Sequence, residues 1–113
     1  MGTNDPASAL LVLVTAPSAE KAAELARAVV EERLAACGNV VPGLRSIYRW
    51  EGKVQDDAEA LLLLKTTPAR FEALRARLLA LHPYQVPEVL AVPVAAGSPA
   101  YLAWIARETE PGG

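Results

Sequence analysis

Residues 44–66 read LRSIYRWEGKVQDDAEALLLLKT, and the fold turns on how this stretch is arranged. Along its first arm the residue types alternate. Leu44, Ser46, Tyr48 and Trp50 fall on one face of a strand, and Arg45, Ile47 and Arg49 on the other. Glu51-Gly52-Lys53 reads as the turn, with Gly52 free to adopt positive φ, so the stretch is a long β-hairpin. The second arm begins polar, with Gln55, Asp56 and Asp57, and ends in Leu61, Leu62, Leu63 and Leu64. Successive strand residues point to opposite faces, so four leucines in a row require cover on both. Burying one leucine is worth about 1.5–3 kcal/mol, a large share of the roughly 5–15 kcal/mol that holds a small domain together. The root of the hairpin is therefore expected to be sandwiched.

Outward from the hairpin, the elements fall into order. Residues 10–14, LLVLV, form a continuous apolar run that suits a central strand buried on both faces. Ser18 is placed to cap a helix, with Glu20 in its first turn. Ala22, Leu25, Ala26, Val29, Val30 and Leu34 then form one apolar stripe, and the helix is expected to end near Ala36. An extended segment starts at residues 39–41, and Pro42-Gly43 interrupts it, marking an edge strand or a bulge. Beyond the hairpin, Thr67 and Pro68 start a second helix with a stripe of Phe71, Leu74, Leu78 and Leu81, and Pro83 stops it. Residues 82–88, HPYQVPE, are a loop stiffened by two prolines. Residues 89–94 form another strand, with Pro93 arguing for an edge, and Ser98-Pro99 opens a short last helix carrying Tyr101, Leu102, Trp104 and Ile105.

Strand-helix-strand twice over, followed by a small helix, is the split βαβ pattern: an α+β, ferredoxin-like sandwich with a long β-hairpin and a short C-terminal helix. Right-handed crossovers put both long helices on one face of the sheet. The other face has only the last helix to cover it, so a cyclic homo-oligomer is expected to shield it. The domain is expected to span residues 10–107, between a disordered tail at 1–9 and a frayed end at 108–113.

Composition narrows the function. The chain has 113 residues, 11 lysines and arginines against 13 acids, and a net charge of −2. There is no basic excess for nucleic acid, and no apolar run long enough to cross a membrane. Cys37 is the only cysteine, which leaves no internal disulfide and fits a reducing cytoplasm.

Several motifs together carry a resemblance: Val14-Thr15-Ala16-Pro17, Glu32-Arg33-Leu34-Ala35-Ala36-Cys37, the 39–43 segment, Ser46-Ile47-Tyr48-Arg49-Trp50, Leu64-Lys65-Thr66, His82-Pro83-Tyr84-Gln85-Val86-Pro87-Glu88, and Tyr101-Leu102-Ala103-Trp104. Over about residues 10–107 the chain resembles the CutA family of divalent-cation tolerance proteins. The resemblance implies a ferredoxin-like protomer in a tight homotrimer whose architecture is similar to that of PII signalling proteins, with hairpins interlocked and clefts between protomers. It also implies tolerance to, and binding of, copper and other divalent cations, with no settled enzymatic activity. Two positions depart from the pattern of some relatives: Val14 stands where they carry a cysteine, and Leu81 where they carry a second histidine.

His82, the only histidine, ends a helix and is a candidate metal ligand or acid–base group, or simply a helix-end residue bonded to nearby carbonyls. Cys37 can offer a soft thiolate to a metal, or be a small buried residue. No C-x-x-C or H-x-x-x-H spacing provides a closed zinc site within one protomer. Tyr84 and Glu88 share the stiff loop with His82, a phenol and a carboxylate able to bind a cation or a small ligand. Lys65 ends the leucine strand and is expected to pair with a carboxylate such as Glu88, or to bind an anion. Tyr48 is a candidate lining residue of a ligand cleft, and Trp50, near the hairpin tip, an interface anchor. The expected function is binding of a copper-type metal or a small ligand at clefts between subunits. The alternatives are a PII-like or protein-interaction trimer without direct metal binding, and an enzyme using the His82–Glu88 loop.

Overall fold

A computed structural model describes residues 8–112. Its elements run β1 (Leu10–Ala16), α1 (Ala19–Glu31), β2 (Cys37–Trp50), β3 (Lys53–Thr66), a 3₁₀ turn (Pro68–Arg70), α2 (Phe71–Leu81), β4 (Leu90–Pro93) and α3 (Pro99–Glu108). The four strands form one antiparallel sheet in the order β2-β3-β1-β4. This is the expected ferredoxin-like arrangement, with the two proline-bearing strands at its edges.

Register explains the core. Val12 pairs with Leu64, Val14 with Leu62 and Ala16 with Ala60. All six are fully or almost fully buried beneath α1 and α2, which contribute Leu25, Val29, Leu74 and Leu78. Thr66 is buried on the same face and donates its hydroxyl to the Leu34 carbonyl at 2.7 Å, which satisfies its one polar group. Leu61 and Leu63 point the other way and are only half-buried. They share that face with Leu11, Leu13, Val41, Leu90 and Val92. Leu90 and Val92 are 58% and 45% exposed. α3 meets this face at its Lys65 end, where the ammonium lies 6.0 Å from the centre of the Tyr101 ring.

Four local expectations are corrected. The first helix stops at Glu31 rather than near Ala36, because Arg33 takes a left-handed conformation with φ of 60° and turns the chain. The amide of Leu34 then bonds back to the Val29 carbonyl at 2.9 Å. The segment at 39–41 and the hairpin's first arm are one strand, β2, with a register shift at Pro42-Gly43 where Gly43 has φ of +82°. The hairpin turn is Glu51-Gly52 alone, since Lys53 pairs with Trp50. Both turn residues have positive φ, as a type I′ two-residue turn requires. Thr67 makes no side-chain cap, and a 3₁₀ turn precedes α2.

At the termini, residues 1–7 and 113 of the expected tails lie outside the described residues. Ala9 is fully buried against Ala36 and Ile105, and its carbonyl accepts from the Val94 amide at 3.1 Å. Thr109 is buried too, its hydroxyl donating to the Ile105 carbonyl at 2.9 Å. Packed structure thus reaches beyond 10–107 at both ends.

Candidate functional site

The hairpin outgrows the sheet, and the stiff loop after α2 folds back toward it. Between them lies an open cleft of about 910 Å³ whose lining includes Tyr48, Trp50, Asp57, Glu59, Tyr84 and Glu88. Pairing of Leu44 with Glu59 and Ser46 with Asp57 sets both acids on the uncovered side of the sheet, in phase with Leu61 and Leu63.

His82 fixes the loop. It ends α2 in extended backbone, as the following proline demands, and is 7% exposed. Its Nε2 lies 2.7 Å from the Thr15 carbonyl, an acceptor, and its Nδ1 accepts from the Tyr84 amide at 3.1 Å. The partners assign the proton to Nε2. The ring also lies 4.6 Å, centre to centre, from that of Tyr84. With both nitrogens committed, neither is offered to a metal. In this arrangement the ring holds the loop against the end of β1.

Tyr84 reaches across the cleft and donates its hydroxyl to Glu59 Oε2 at 2.5 Å. Tyr48 donates in the same way to Asp57 Oδ2 at 2.5 Å. Burial first, and then the Glu59 carboxylate, hold the Tyr84 phenol well above the usual tyrosine range. The Tyr48 phenol is raised as well, chiefly by its hydrogen bond to Asp57. Glu88, on the loop, is raised above the usual carboxylate range by burial and secondarily by Glu59.

Lys65 and Cys37 are elsewhere. They pair across β2 and β3, four residues along β3 from Leu61, whose partner is Thr15. That places them about 13 Å from the His82 anchor at some 3.3 Å per strand residue. The Lys65 ammonium donates to Asn39 Oδ1 at 2.6 Å and lies 3.8 Å from Cys37 Sγ. Its partner is thus a side-chain amide on the neighbouring strand and not Glu88. Tyr48, Tyr84 and Glu88 share the cleft, with His82 behind them, whereas Lys65 and Cys37 do not join it.

The donors of one protomer do not suit a copper-type ion. No three His, Cys, Asp or Glu side chains converge to hold a metal among the described residues. Val14 and Leu81 belong to the apolar core and its margin and offer a metal nothing. Asp57, read in the sequence only as part of a polar hairpin arm, and Glu59 are not among the expected site residues. The signal for them was the period of two that runs back from Leu63 through Leu61.

Sheet order, hairpin and cleft define a class: a ferredoxin-like α+β protein with an aromatic, acidic cleft between a long hairpin and the loop after its second helix. The family model for the CutA1 divalent ion tolerance protein matches residues 10–108. The divalent-cation tolerance protein CutA of Thermus thermophilus is 57% identical over 88% of this chain and 96% of its own length. A solved structure of the Thermus thermophilus protein superposes with a TM-score of 0.88 at 55% identity, covering 90% of this chain and 99% of that one. Protein CutA of Mus musculus is 47% identical over 93% of this chain, which spans only 59% of the mouse protein's length. The chain belongs to the CutA family of divalent-cation tolerance proteins.

Proposed function

We propose that the chain acts in divalent-cation tolerance as a cytoplasmic homo-oligomer and binds a small ligand in clefts that neighbouring copies complete. The observation that carries this reading is the uncovered leucine face. Leu11, Leu13, Leu61 and Leu63 are half-buried, and Leu90, Val92 and Val41 are exposed beside them. A contiguous apolar surface of this kind marks a contact site. Three copies is the number the family resemblance implies. The single unpaired Cys37 suits a reducing compartment.

Tyr48, Tyr84 and Glu88 are the ligand-binding residues in this reading, joined by Asp57 and Glu59. A metal ion, copper included, would have to draw donors from more than one copy, because one protomer does not assemble a set. The cleft brings no serine–histidine or cysteine–histidine pair together, so binding is favoured over catalysis.

Light scattering on a sizing column, together with calorimetric titration of Cu²⁺ and Zn²⁺ into wild type and His82→Ala, tests the reading. A trimer with equal metal heats in the two proteins is expected. A folded monomer at micromolar concentration overturns the oligomer, and loss of metal binding in His82→Ala restores that residue as a ligand.

A further inference from the structure

We propose that the cleft between the hairpin and residues 83–88 takes an organic cation with N–H donors, a primary ammonium or guanidinium on a flat apolar body. The inference rests on reading this cleft as a ligand site and names the class of ligand.

Size is the first argument. The cleft measures about 910 Å³, in the range of pockets that hold small organic molecules and far beyond the space of a single ion. The walls are the second. Tyr48, Trp50 and Tyr84 line it with Pro17, Ile47 and Val86, so a flat apolar body finds rings and aliphatic groups to pack against, and a cation finds ring faces. Charge is the third. The ionisable lining residues are Asp57, Glu59, Glu88 and the two phenols, and no lysine, arginine or histidine is among them. From this chain's side of the cleft an anionic ligand would meet only like charge.

The bonding pattern separates an organic cation from a metal. Asp57 and Glu59 each already accept from a tyrosine hydroxyl, Tyr48 and Tyr84 respectively. The acids are tied to different parts of the wall and do not converge on one point. Each still has lone pairs to spare, and the Glu88 carboxylate is in no ion pair among the described residues. Separated acceptors along an aromatic wall match several N–H donors on one organic group better than the tight shell a metal requires. Burial and Glu59 disfavour the charge on Glu88, and a bound cation would offset both effects.

The test is calorimetric titration of the assembled protein with tryptamine and with tryptophol, which present the same indole and differ in carrying an ammonium or a hydroxyl. Tryptamine is expected to bind at least about tenfold more tightly. Glu88→Gln and, independently, Asp57→Asn are expected to weaken tryptamine far more than tryptophol and so erase most of that preference, with melting curves confirming that each variant folds. Equal affinity for the two probes overturns the proposal and leaves the cleft a ligand site. Binding of neither probe to an intact oligomer overturns the ligand site itself. A preference that survives in both variants also overturns the proposal, since the charge would then be read elsewhere.

Discussion

Nε2 of His82 donates to the backbone carbonyl of Thr15 across 2.7 Å, so the end of α2 is fastened to the end of the central strand by an imidazole. On the other side of the ring, Nδ1 accepts from the Tyr84 amide, which points Tyr84 at Glu59. The position of the cleft's phenol therefore depends on a side chain that is itself outside the cleft lining.

Replacing His82 tests this dependence. His82→Ala removes both bonds, leaves a half-buried carbonyl without its donor, and empties the volume of a buried ring. A loss of about 2–4 kcal/mol is expected in urea denaturation. His82→Gln retains a donor for Thr15 and is expected to recover part of it. If alanine costs under about 0.5 kcal/mol, the imidazole is not what fastens the loop.

The sequence made the sheet readable because its apolar pattern is strong. Four consecutive leucines, an LLVLV run and two helical stripes leave few arrangements that bury them all. The end of α1 escaped the same reasoning, because the stripe continues through Leu34 while the helix stops at Glu31. Leu34 reaches the core after a left-handed turn at Arg33, a conformation that arginine does not advertise. The cleft was half legible. Tyr48, Tyr84 and Glu88 stood out as chemistry-bearing residues near prolines and aromatics. Their partners, Asp57 and Glu59, looked like an ordinary solvated hairpin arm, because only the pairing of β2 with β3 and the return of the loop give them phenols to bind. The partner of Lys65 is not legible in the sequence, because it follows from the pairing of Cys37 with Lys65. That register brings Asn39 to the ammonium before any carboxylate can reach it.

Gly38 sits where α1 crosses β2. A Cβ there would lie 2.9 Å from Ala26 Cβ and 3.1 Å from Leu64 Cδ2. The leucine methyl can rotate, but the alanine methyl is fixed to the helix, so α1 would have to move away from the sheet. Gly38→Ala is expected to destabilise the protein by about 1–3 kcal/mol despite adding one methyl group. Pairing it with Ala26→Gly should relieve the clash and return part of the loss, less the roughly 1 kcal/mol that a glycine costs inside a helix, read as coupling between the two sites in a double-mutant cycle.

Glu88 gives a pH signature. Its carboxyl is raised by burial and by Glu59, so the folded protein holds this proton more tightly than the unfolded chain does. Below the unfolded value, near pH 4.3, both states are protonated and the group costs nothing. As pH rises past that value the unfolded chain ionises first, and stability is lost until the folded group has ionised too. Glu88→Gln removes this loss. The variant is expected to gain on wild type as pH rises from about 4 and to keep a constant lead once the folded carboxyl is ionised. A lead that does not change with pH would show that Glu88 is unperturbed. The same substitution is expected to weaken tryptamine binding, so stability and affinity should move in opposite directions.

Leu63 stands at the centre of the uncovered face, paired with Leu13 on one side and Asn39 on the other. In a lone chain it is only half-buried, and a polar residue there would cost little. In an assembly that buries this face, an aspartate at the same position would be a desolvated, unpaired charge, which is several times more expensive. Leu63→Asp is therefore expected to separate the copies while leaving each one folded. Light scattering should report a mass near the 12.0 kDa of one chain, with circular dichroism retaining its helical and sheet signals. The tryptamine preference should fall with assembly if a neighbour completes the cleft, and should persist if one copy forms it alone. A variant that keeps the wild-type mass would mean that the copies meet elsewhere and that this leucine face stays in water.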